Sequence, residues 1–126
     1  MKKIIVADDD SSIRDIFSIL LTRAGYNVML FSDGESLMHI AFELPDLFII
    51  DRQLSGIDGI EVCKHLKSNF LTKHIPVIIT SASPYVSSIA NEVGADAFIE
   101  KPFKTKELTK LIDKILNQYI SLTVNH

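Results

Sequence analysis

Acidic, basic and hydroxyl side chains follow apolar segments at several points along the sequence. Three consecutive aspartates at positions 8–10 follow the first segment, and Asp51 ends another. Ser81 ends a third segment, and Lys101 comes shortly after the last one. Carboxylate oxygens suit Mg²⁺, which binds one or two carboxylates together with water and phosphate oxygens. A carboxylate can also attack phosphorus to form an aspartyl phosphate, so these residue types suit phosphoryl transfer.

Lys101 and Ser81 would complete such a site if the chain brings them to the carboxylates. Closely spaced carboxylates repel one another unless a positive charge lies among them. A lysine ammonium group can hold a phosphoryl oxygen as a point charge, and a serine hydroxyl can hydrogen-bond another. The chemistry therefore requires a fold that places these segment ends together.

Short apolar runs alternate with longer helical patterns along the whole chain. The runs are mostly continuous, which is typical of strands that are buried on both faces of a parallel sheet. We predict strands at Lys3–Ala7, Asn27–Phe31, Leu47–Asp51, Val77–Ser81 and residues 97–99. We predict helices at residues 12–24, 34–43, 59–68, 84–93 and 104–119.

This alternation predicts an α/β fold with a central parallel sheet. Right-handed crossovers would place helices on both faces and give a three-layer sandwich. In such folds the functional site lies at the carboxyl ends of the strands, where the reactive residues occur here. The 126 residues fit one domain, and we expect residues 1–126 to hold no output domain.

Composition excludes several classes of function. The formal net charge of −3 argues against sequence-independent nucleic-acid binding, which depends on neutralising phosphates. No apolar run reaches the roughly 20 residues that a membrane helix needs, so we expect no membrane association. The single cysteine, Cys63, cannot form an internal disulfide and fits a reducing cytoplasm, where we expect it to be a packing thiol.

Four segments resemble the motifs of response-regulator receiver domains from two-component signalling, in order and over essentially the whole chain. The apolar strand with its acidic pair is at residues 4–10, and the phosphoacceptor segment is at residues 47–59. The fourth-strand segment is at residues 75–82, and the closing segment is at residues 94–103. The resemblance is to regulators of the chemotaxis type, and it implies a flavodoxin-like fold with strand order 2-1-3-4-5.

This resemblance implies a role for each matching acidic residue. Asp51 corresponds to the phosphoacceptor, and Asp9 and Asp51 correspond to direct ligands of Mg²⁺. Asp8 would act mainly through water, and the backbone carbonyl of Gln53 would be a further ligand. Asp10 has two open roles, since it could belong to the acidic group or only cap the first helix.

The resemblance also implies the residues that respond to phosphorylation. Ser81 matches the switch hydroxyl that moves towards the phosphoryl group, and Phe98 matches the aromatic residue that then turns inward. Phe98 could alternatively be an ordinary core residue. Lys101 would pair with the phosphoryl group, and its bond to Pro102 is expected to be cis. Thr80 precedes Ser81 and should point into the sheet.

The implied activity is that of a signalling switch and not of an enzyme with its own external substrate. A sensor histidine kinase or phosphotransfer protein would donate the phosphoryl group from a phosphohistidine. The altered face of the fourth helix, fifth strand and fifth helix would then bind an output protein or an output domain. Tyr119 and Ile120 are left over from the apolar stripe of the last helix for a homodimer contact.

Three positions depart from the family pattern or vary within it. Ser55 stands where the family usually has proline, which removes a restraint on φ after the phosphoacceptor. Gln53 and Ser83 occupy variable positions that, in the family, influence the lifetime of the aspartyl phosphate. Neither carries a formal charge, so the sequence leaves that lifetime open.

Two other classes of function remain as alternatives. Phosphatases of the haloacid-dehalogenase type also use an aspartate nucleophile with Mg²⁺, but they need a second acid two residues later, where this chain has Gln53. The other alternative is a protein-interaction module of the same fold that works without phosphorylation. Degenerate members of that kind usually lack an acid or the lysine, and this sequence has all of them.

Overall fold

The computed structural model describes the backbone of residues 1–124 and the side chains of residues 1–117. Its strands and helices alternate from the first to the last. The strands are β1 (Lys3–Ala7), β2 (Asn27–Phe31), β3 (Leu47–Asp51), β4 (Val77–Ser81) and β5 (Ala97–Glu100). The helices are α1 (Ser11–Arg23), α2 (Glu35–Met38), α3 (Gly59–Ser68), α4 (Val86–Glu92) and α5 (Thr105–Val124).

The five strands form one parallel sheet in the order β2-β1-β3-β4-β5, which confirms the predicted fold and strand order. Alternate strand residues point to opposite faces, as the two-residue period of a strand requires. Ile5 and Ile50 pack with α2, α3 and α4 on one face, whereas Ile4 and Ile49 pack with α1 and α5 on the other. Apolar runs therefore fill both layers of the core.

Helix α1 has a well-defined start and end. The side chain of Asp10 accepts hydrogen bonds from the backbone N–H groups of Ser12 and Ile13, at 2.8 and 3.2 Å. This is the N-cap geometry, so the structure gives Asp10 the capping role. After the helix, Gly25 has φ of +95°, a left-handed conformation that terminates helices and favours glycine.

Helix α2 is much shorter than the predicted span of residues 34–43, because it ends at Met38. The chain then turns, and Phe42 packs its ring against Phe31 and Phe48, with centroid separations of 6.0 and 5.9 Å. A continued helix would carry Phe42 elsewhere, so we attribute the early end to this tertiary packing.

Strands β1–β4 and helix α3 have the predicted bounds. The remaining elements differ at their ends, most of all α5, which runs to Val124 where an end at residue 119 was predicted. Helix α4 begins at Val86 and ends at Glu92, β5 extends to Glu100, and α1 begins one residue early. Residues Tyr119 and Ile120, predicted for a homodimer contact, lie outside the side chains that the structure describes. Within residues 1–124, no helix is both long and apolar enough to cross a membrane.

Candidate functional site

The residues with reactive side chains meet at the carboxyl edge of the sheet. Asp8 follows β1, Asp51 ends β3, Ser81 ends β4 and Lys101 follows β5. These four strands are neighbours in the sheet, so a single edge brings together residues from opposite ends of the chain. The structure thus brings the predicted strand-end residues to one edge, and their roles there stay predictions.

The backbone of the loop after β3 lies very close to Asp51. Gly59 begins α3, and its N–H donates to the carbonyl of Arg52 at 2.8 Å. A Cβ atom on Gly59 would overlap the carbonyl oxygen of Asp51 and lie 2.9 Å from the Arg52 Cα. Glycine is therefore required here by close approach of two backbone segments, which holds the end of β3 against the start of α3.

Lys101 makes two ion pairs at the centre of the site. Its Nζ donates to Asp8 Oδ2 at 2.8 Å and to Asp51 Oδ2 at 3.2 Å. The Asp8 side chain is 1% exposed, and its other oxygen, Oδ1, accepts from the backbone N–H of Asp10 at 3.0 Å. One ammonium group thus compensates two buried carboxylates, which reduces their mutual repulsion.

Burial and neighbouring charges shift the pKa of both central groups. Burial raises the pKa of the Asp51 carboxyl above its usual range, and the charge of Asp8 adds to this, while Lys101 opposes it. For Lys101, burial alone would lower the pKa, but the hydrogen bond to Asp8 and the charge of Asp51 produce a net rise. Lys101 therefore stays protonated among the acids.

The acidic residues can hold a divalent cation. Asp8, Asp9 and Asp51 each offer one carboxylate oxygen, and these three atoms lie within 4.8 Å of one another. Asp9 is exposed, so the group opens to solvent on that side. All the donors are oxygens, as Mg²⁺ requires, and water could complete its coordination from the open side. The residues present therefore fit a Mg²⁺ ion.

Arg14 fixes the backbone of the acidic loop. Its guanidinium donates from one terminal nitrogen to the backbone carbonyl of Asp8, at 2.7 Å. Since α1 also begins at this loop, with Asp10 as its cap, the position of Asp8 and Asp9 depends on the start of the helix. Arg14 and the cap residue Asp10 thus tie the acidic loop to the first turns of α1.

An open cleft of about 260 Å³ lies beside Asp51. Gln53, Ser81 and Lys101 line it, together with Arg52 and the two residues after Ser81. The hydroxyl of Ser81 accepts a hydrogen bond from the backbone N–H of Ser83 at 3.1 Å. Thr80 is buried, with 1% exposure, as its predicted orientation into the sheet requires. The cleft is large enough for a phosphoryl group to reach the Asp51 carboxylate.

Phe98 lies on β5 away from this cleft. It is half-buried against the core on the α3 and α4 face, and it lines a wide groove of about 520 Å³ between α4 and β5. This half-buried position fits an ordinary core residue, and the switch role of Phe98 stays a prediction. The bond between Lys101 and Pro102 is cis, as the sequence resemblance predicts.

Arg52 has no predicted role from sequence, although it lines the cleft. Its Nε lies 3.2 Å from Asp58 Oδ2, so it pairs across the loop that follows Asp51. A signal was present in the sequence, because a charged residue directly follows the acid that ends an otherwise apolar strand.

Comparison with known proteins identifies relatives over most of the chain. A family model described as "Response regulator receiver domain" matches residues 4–113. The alkaline phosphatase synthesis transcriptional regulatory protein PhoP of Bacillus subtilis (strain 168) is 37% identical over 118 residues, which are 93% of this chain. The match covers 49% of PhoP, so the chain spans about half the length of this curated relative.

Solved structures with the same fold include one from Vibrio cholerae and one from Pseudomonas aeruginosa. The chemotaxis response regulator CheY4 of Vibrio cholerae is 29% identical, with a TM-score of 0.84 and coverage of 91% of this chain and 98% of that one. A receiver domain from a Pseudomonas aeruginosa sensor histidine kinase, solved with magnesium in its active-site cleft, is 21% identical. The match has a TM-score of 0.84 and covers 92% of this chain and 98% of the Pseudomonas chain. At this level of identity the match shows a likeness of fold.

Proposed function

The chain belongs to the response-regulator receiver family, and from this premise we propose that Asp51 is the phosphoacceptor of a signalling switch. The observation that carries the proposal is the placement of Lys101 between Asp8 and Asp51, at 2.8 and 3.2 Å, beside an open cleft. An acid that ends an apolar strand, faces a cation and opens to solvent is suited to attack phosphorus.

In the proposed reaction, an Asp51 carboxylate oxygen attacks the phosphorus of a phosphohistidine on a sensor kinase or phosphotransfer protein. The bond from phosphorus to the histidine nitrogen breaks as the bond to the Asp51 oxygen forms. Lys101 then holds a phosphoryl oxygen, and Ser81 offers its hydroxyl to another from the far side of the cleft. The phosphoryl group stays on Asp51 until water hydrolyses the aspartyl phosphate, so the chain acts as a switch and not as an enzyme that converts a small-molecule substrate.

Asp8, Asp9 and Asp51 would hold Mg²⁺, and the Gln53 backbone carbonyl would be a further ligand. The bound ion would neutralise charge on the transferring phosphoryl group. Support comes from the oxygen-only donor set, and from the similar receiver domain of the Pseudomonas aeruginosa sensor histidine kinase, which was solved with magnesium in its active-site cleft. The exposed position of Asp9 leaves that side of the group open to solvent.

The output step is proposed to involve Ser81 and Phe98. A phosphoryl group on Asp51 would draw Ser81 inward from the end of β4, and Phe98 on neighbouring β5 would move into the space beside it. The groove between α4 and β5, which Phe98 lines, would then present a changed surface to an output protein or output domain. Homodimer formation on phosphorylation belongs to the same proposal, as does a cytoplasmic location.

Intact mass spectrometry after incubation with acetyl phosphate tests the phosphoacceptor directly. We expect one added phosphoryl group in wild type with Mg²⁺, and none in Asp51→Asn or after removal of the metal by EDTA. Asp58→Asn is the matched control, because it changes a nearby acid outside the metal group, and it should still be phosphorylated. Absence of an adduct in folded wild type under every condition would contradict the proposal and favour a phosphorylation-independent interaction module.

A further inference from the structure

Arg52 lines the same cleft as Asp51, Ser81 and Lys101, and it is the second basic residue among those that line it. Its backbone is fixed on both sides, since its N–H donates to the Thr80 carbonyl at 2.9 Å and its carbonyl accepts from Gly59 at 2.8 Å. The Arg52 backbone is therefore held next to Asp51, and a change of hydrogen-bond partner would need only rotation of the Arg52 side chain.

The present partner of Arg52 holds it weakly. The Nε of Arg52 lies 3.2 Å from Asp58 Oδ2, and the two side chains are 38% and 42% exposed. Ion pairs this exposed contribute about 0 to 1 kcal/mol, because water and salt screen them. A stronger anion nearby could displace Asp58 at little cost in free energy.

A phosphoryl group on Asp51 would be such an anion. The phosphorylated residue carries up to two negative charges where the carboxylate carried one, and it has three strong acceptor oxygens. A guanidinium binds such oxygens with a planar array of donors. Lys101 is already engaged by Asp8 at 2.8 Å, so its single ammonium group must be shared between the buried acid and the incoming charge. Besides the proposed Mg²⁺ and the Ser81 hydroxyl, Arg52 is the other basic residue that lines the cleft and could donate to the phosphoryl oxygens.

We propose that the Arg52 guanidinium exchanges its partner, leaving Asp58 to donate hydrogen bonds to a phosphoryl oxygen on Asp51. This inference rests on the proposed function, because it needs a phosphoryl group at Asp51. It makes Arg52 a binding residue for the phosphorylated state and makes Asp58 its competitor. The pair between Arg52 and Asp58 then belongs to the unphosphorylated state.

Asp58 provides a way to test this exchange without disturbing the helix. Its Oδ1 caps α3 by accepting from the Ile60 N–H at 2.8 Å, while its Oδ2 pairs with Arg52. Asparagine is as good an N-cap as aspartate, so Asp58→Asn keeps the cap and removes the charge that competes for Arg52. The variant releases Arg52 towards the cleft.

The measurement is the affinity of Mg²⁺-loaded protein for beryllium trifluoride, an unreactive analogue of the phosphoryl group, by titration calorimetry. We expect Arg52→Gln to weaken binding about tenfold, the size of one charge-assisted hydrogen bond. Asp58→Asn should strengthen binding, by about twofold. Arg52→Lys should fall between wild type and Arg52→Gln, because it keeps the charge but loses the planar donors.

Arg52→Gln and Asp58→Asn are expected to change the affinity in opposite directions. This difference distinguishes a binding role of Arg52 from a purely structural role. If the pair only clamps the loop after Asp51, Arg52→Gln and Asp58→Asn both break it and should change the affinity in the same direction. That result, or an unchanged affinity in Arg52→Gln, overturns the inference. Urea unfolding of each variant is the control. A midpoint close to that of wild type shows that the variant is folded under the conditions in which its affinity is measured.

The inference and the proposed function fail in distinguishable ways. If wild type gains a phosphoryl group on Asp51 but Arg52→Gln binds the analogue like wild type, only the role of Arg52 is wrong. If wild type neither gains the group nor binds the analogue, both the proposed function and the role of Arg52 are wrong.

Discussion

Lys101 and Asp8 are 93 positions apart in the chain, yet the lysine Nζ lies 2.8 Å from Asp8 Oδ2. The same ammonium group is farther from Asp51, at 3.2 Å. The closest contact of the central lysine is therefore with a buried acid of the acidic loop, and not with the acid proposed to react. Lys101 consequently has a stabilising role in addition to its proposed role towards phosphate.

Replacement of Lys101 should destabilise the fold. Lys101→Gln leaves the buried carboxylate of Asp8 without its cation, and we expect the free energy of unfolding to fall by about 3 kcal/mol in metal-free buffer at pH 7. Urea unfolding followed by circular dichroism measures this. Lys3→Gln is the control, because its partner Glu43 is 81% exposed, and it should cost less than about 1 kcal/mol. Equal losses in the two variants would contradict the structural role of Lys101.

Mg²⁺ should stabilise the protein through Asp9 and leave the neighbouring Asp10 uninvolved. At a Mg²⁺ concentration ten times its Kd, bound metal adds about 1.4 kcal/mol to the free energy of unfolding. We expect Asp9→Asn to abolish this gain and Asp10→Asn to retain it, since Asp10 caps α1. Thermal unfolding with and without Mg²⁺ provides the comparison. A metal response that depends on Asp10 and survives the loss of Asp9 would show that the metal group is assigned wrongly.

Gly59→Ala should destabilise the fold far more than an alanine at an open glycine. The new methyl group would overlap the Asp51 carbonyl oxygen, so β3 and α3 must move apart, and we expect a loss of about 3 kcal/mol. Gly25→Ala meets no atom within 4 Å and bears only the strain of its left-handed φ, about 1 to 2 kcal/mol. Unfolding midpoints in urea distinguish the two, and the reverse order would refute the close-approach argument.

The Cys63 thiol should be unreactive in the folded protein. Burial raises its pKa to about 11 from 9.0, so at pH 8 only about one thiol in a thousand is ionised. Because the folded state holds this proton more tightly, the associated stabilisation is complete below pH 9 and is lost as pH rises to about 11. Iodoacetamide labelling, read by mass, should be slow at pH 8 and become fast in urea. Rapid labelling of the native protein would mean that the thiol is accessible.

The sequence predicts four of the five strands with the bounds that the structure has. For β1, β3 and β4 the reason is burial on both faces, which leaves continuous apolar runs, whereas the edge strand β2 is only partly buried. Helix α2 shows where such patterns fail. The pattern continues to residue 43, but Phe42 packs on Phe31 and Phe48, and this contact ends the helix at Met38. A tertiary contact between distant residues leaves no local trace in the sequence.

The candidate site was predicted as a set of residues but not as a set of contacts. The strand ends placed Asp51 and Ser81 at one edge of the sheet, since parallel strands end together. Neither spacing nor residue type indicated that Lys101 would lie closer to Asp8 than to Asp51, because that distance depends on how far the lysine extends from the end of β5. Arg52 was missed for a similar reason, since its cleft forms only when β3, β4 and β5 lie side by side.

Asp8, Asp51, Ser81 and Lys101 lie at the carboxyl edge of the sheet, and among the described residues the opposite edge holds connections between helices and strands. Lys2 and Leu116 line the same small pocket at that opposite edge, so the start of β1 and the last described turns of α5 are near each other. The turn at residues 69–74, between α3 and β4, is also there, with Phe70 80% exposed. The site thus depends on which strand ends lie side by side, and not on the order in which the polypeptide connects the strands. A circular permutant that connects α5 to the start of β1 through a linker and opens the chain at this turn should keep Asp8, Asp51, Ser81 and Lys101 on the same four strand ends.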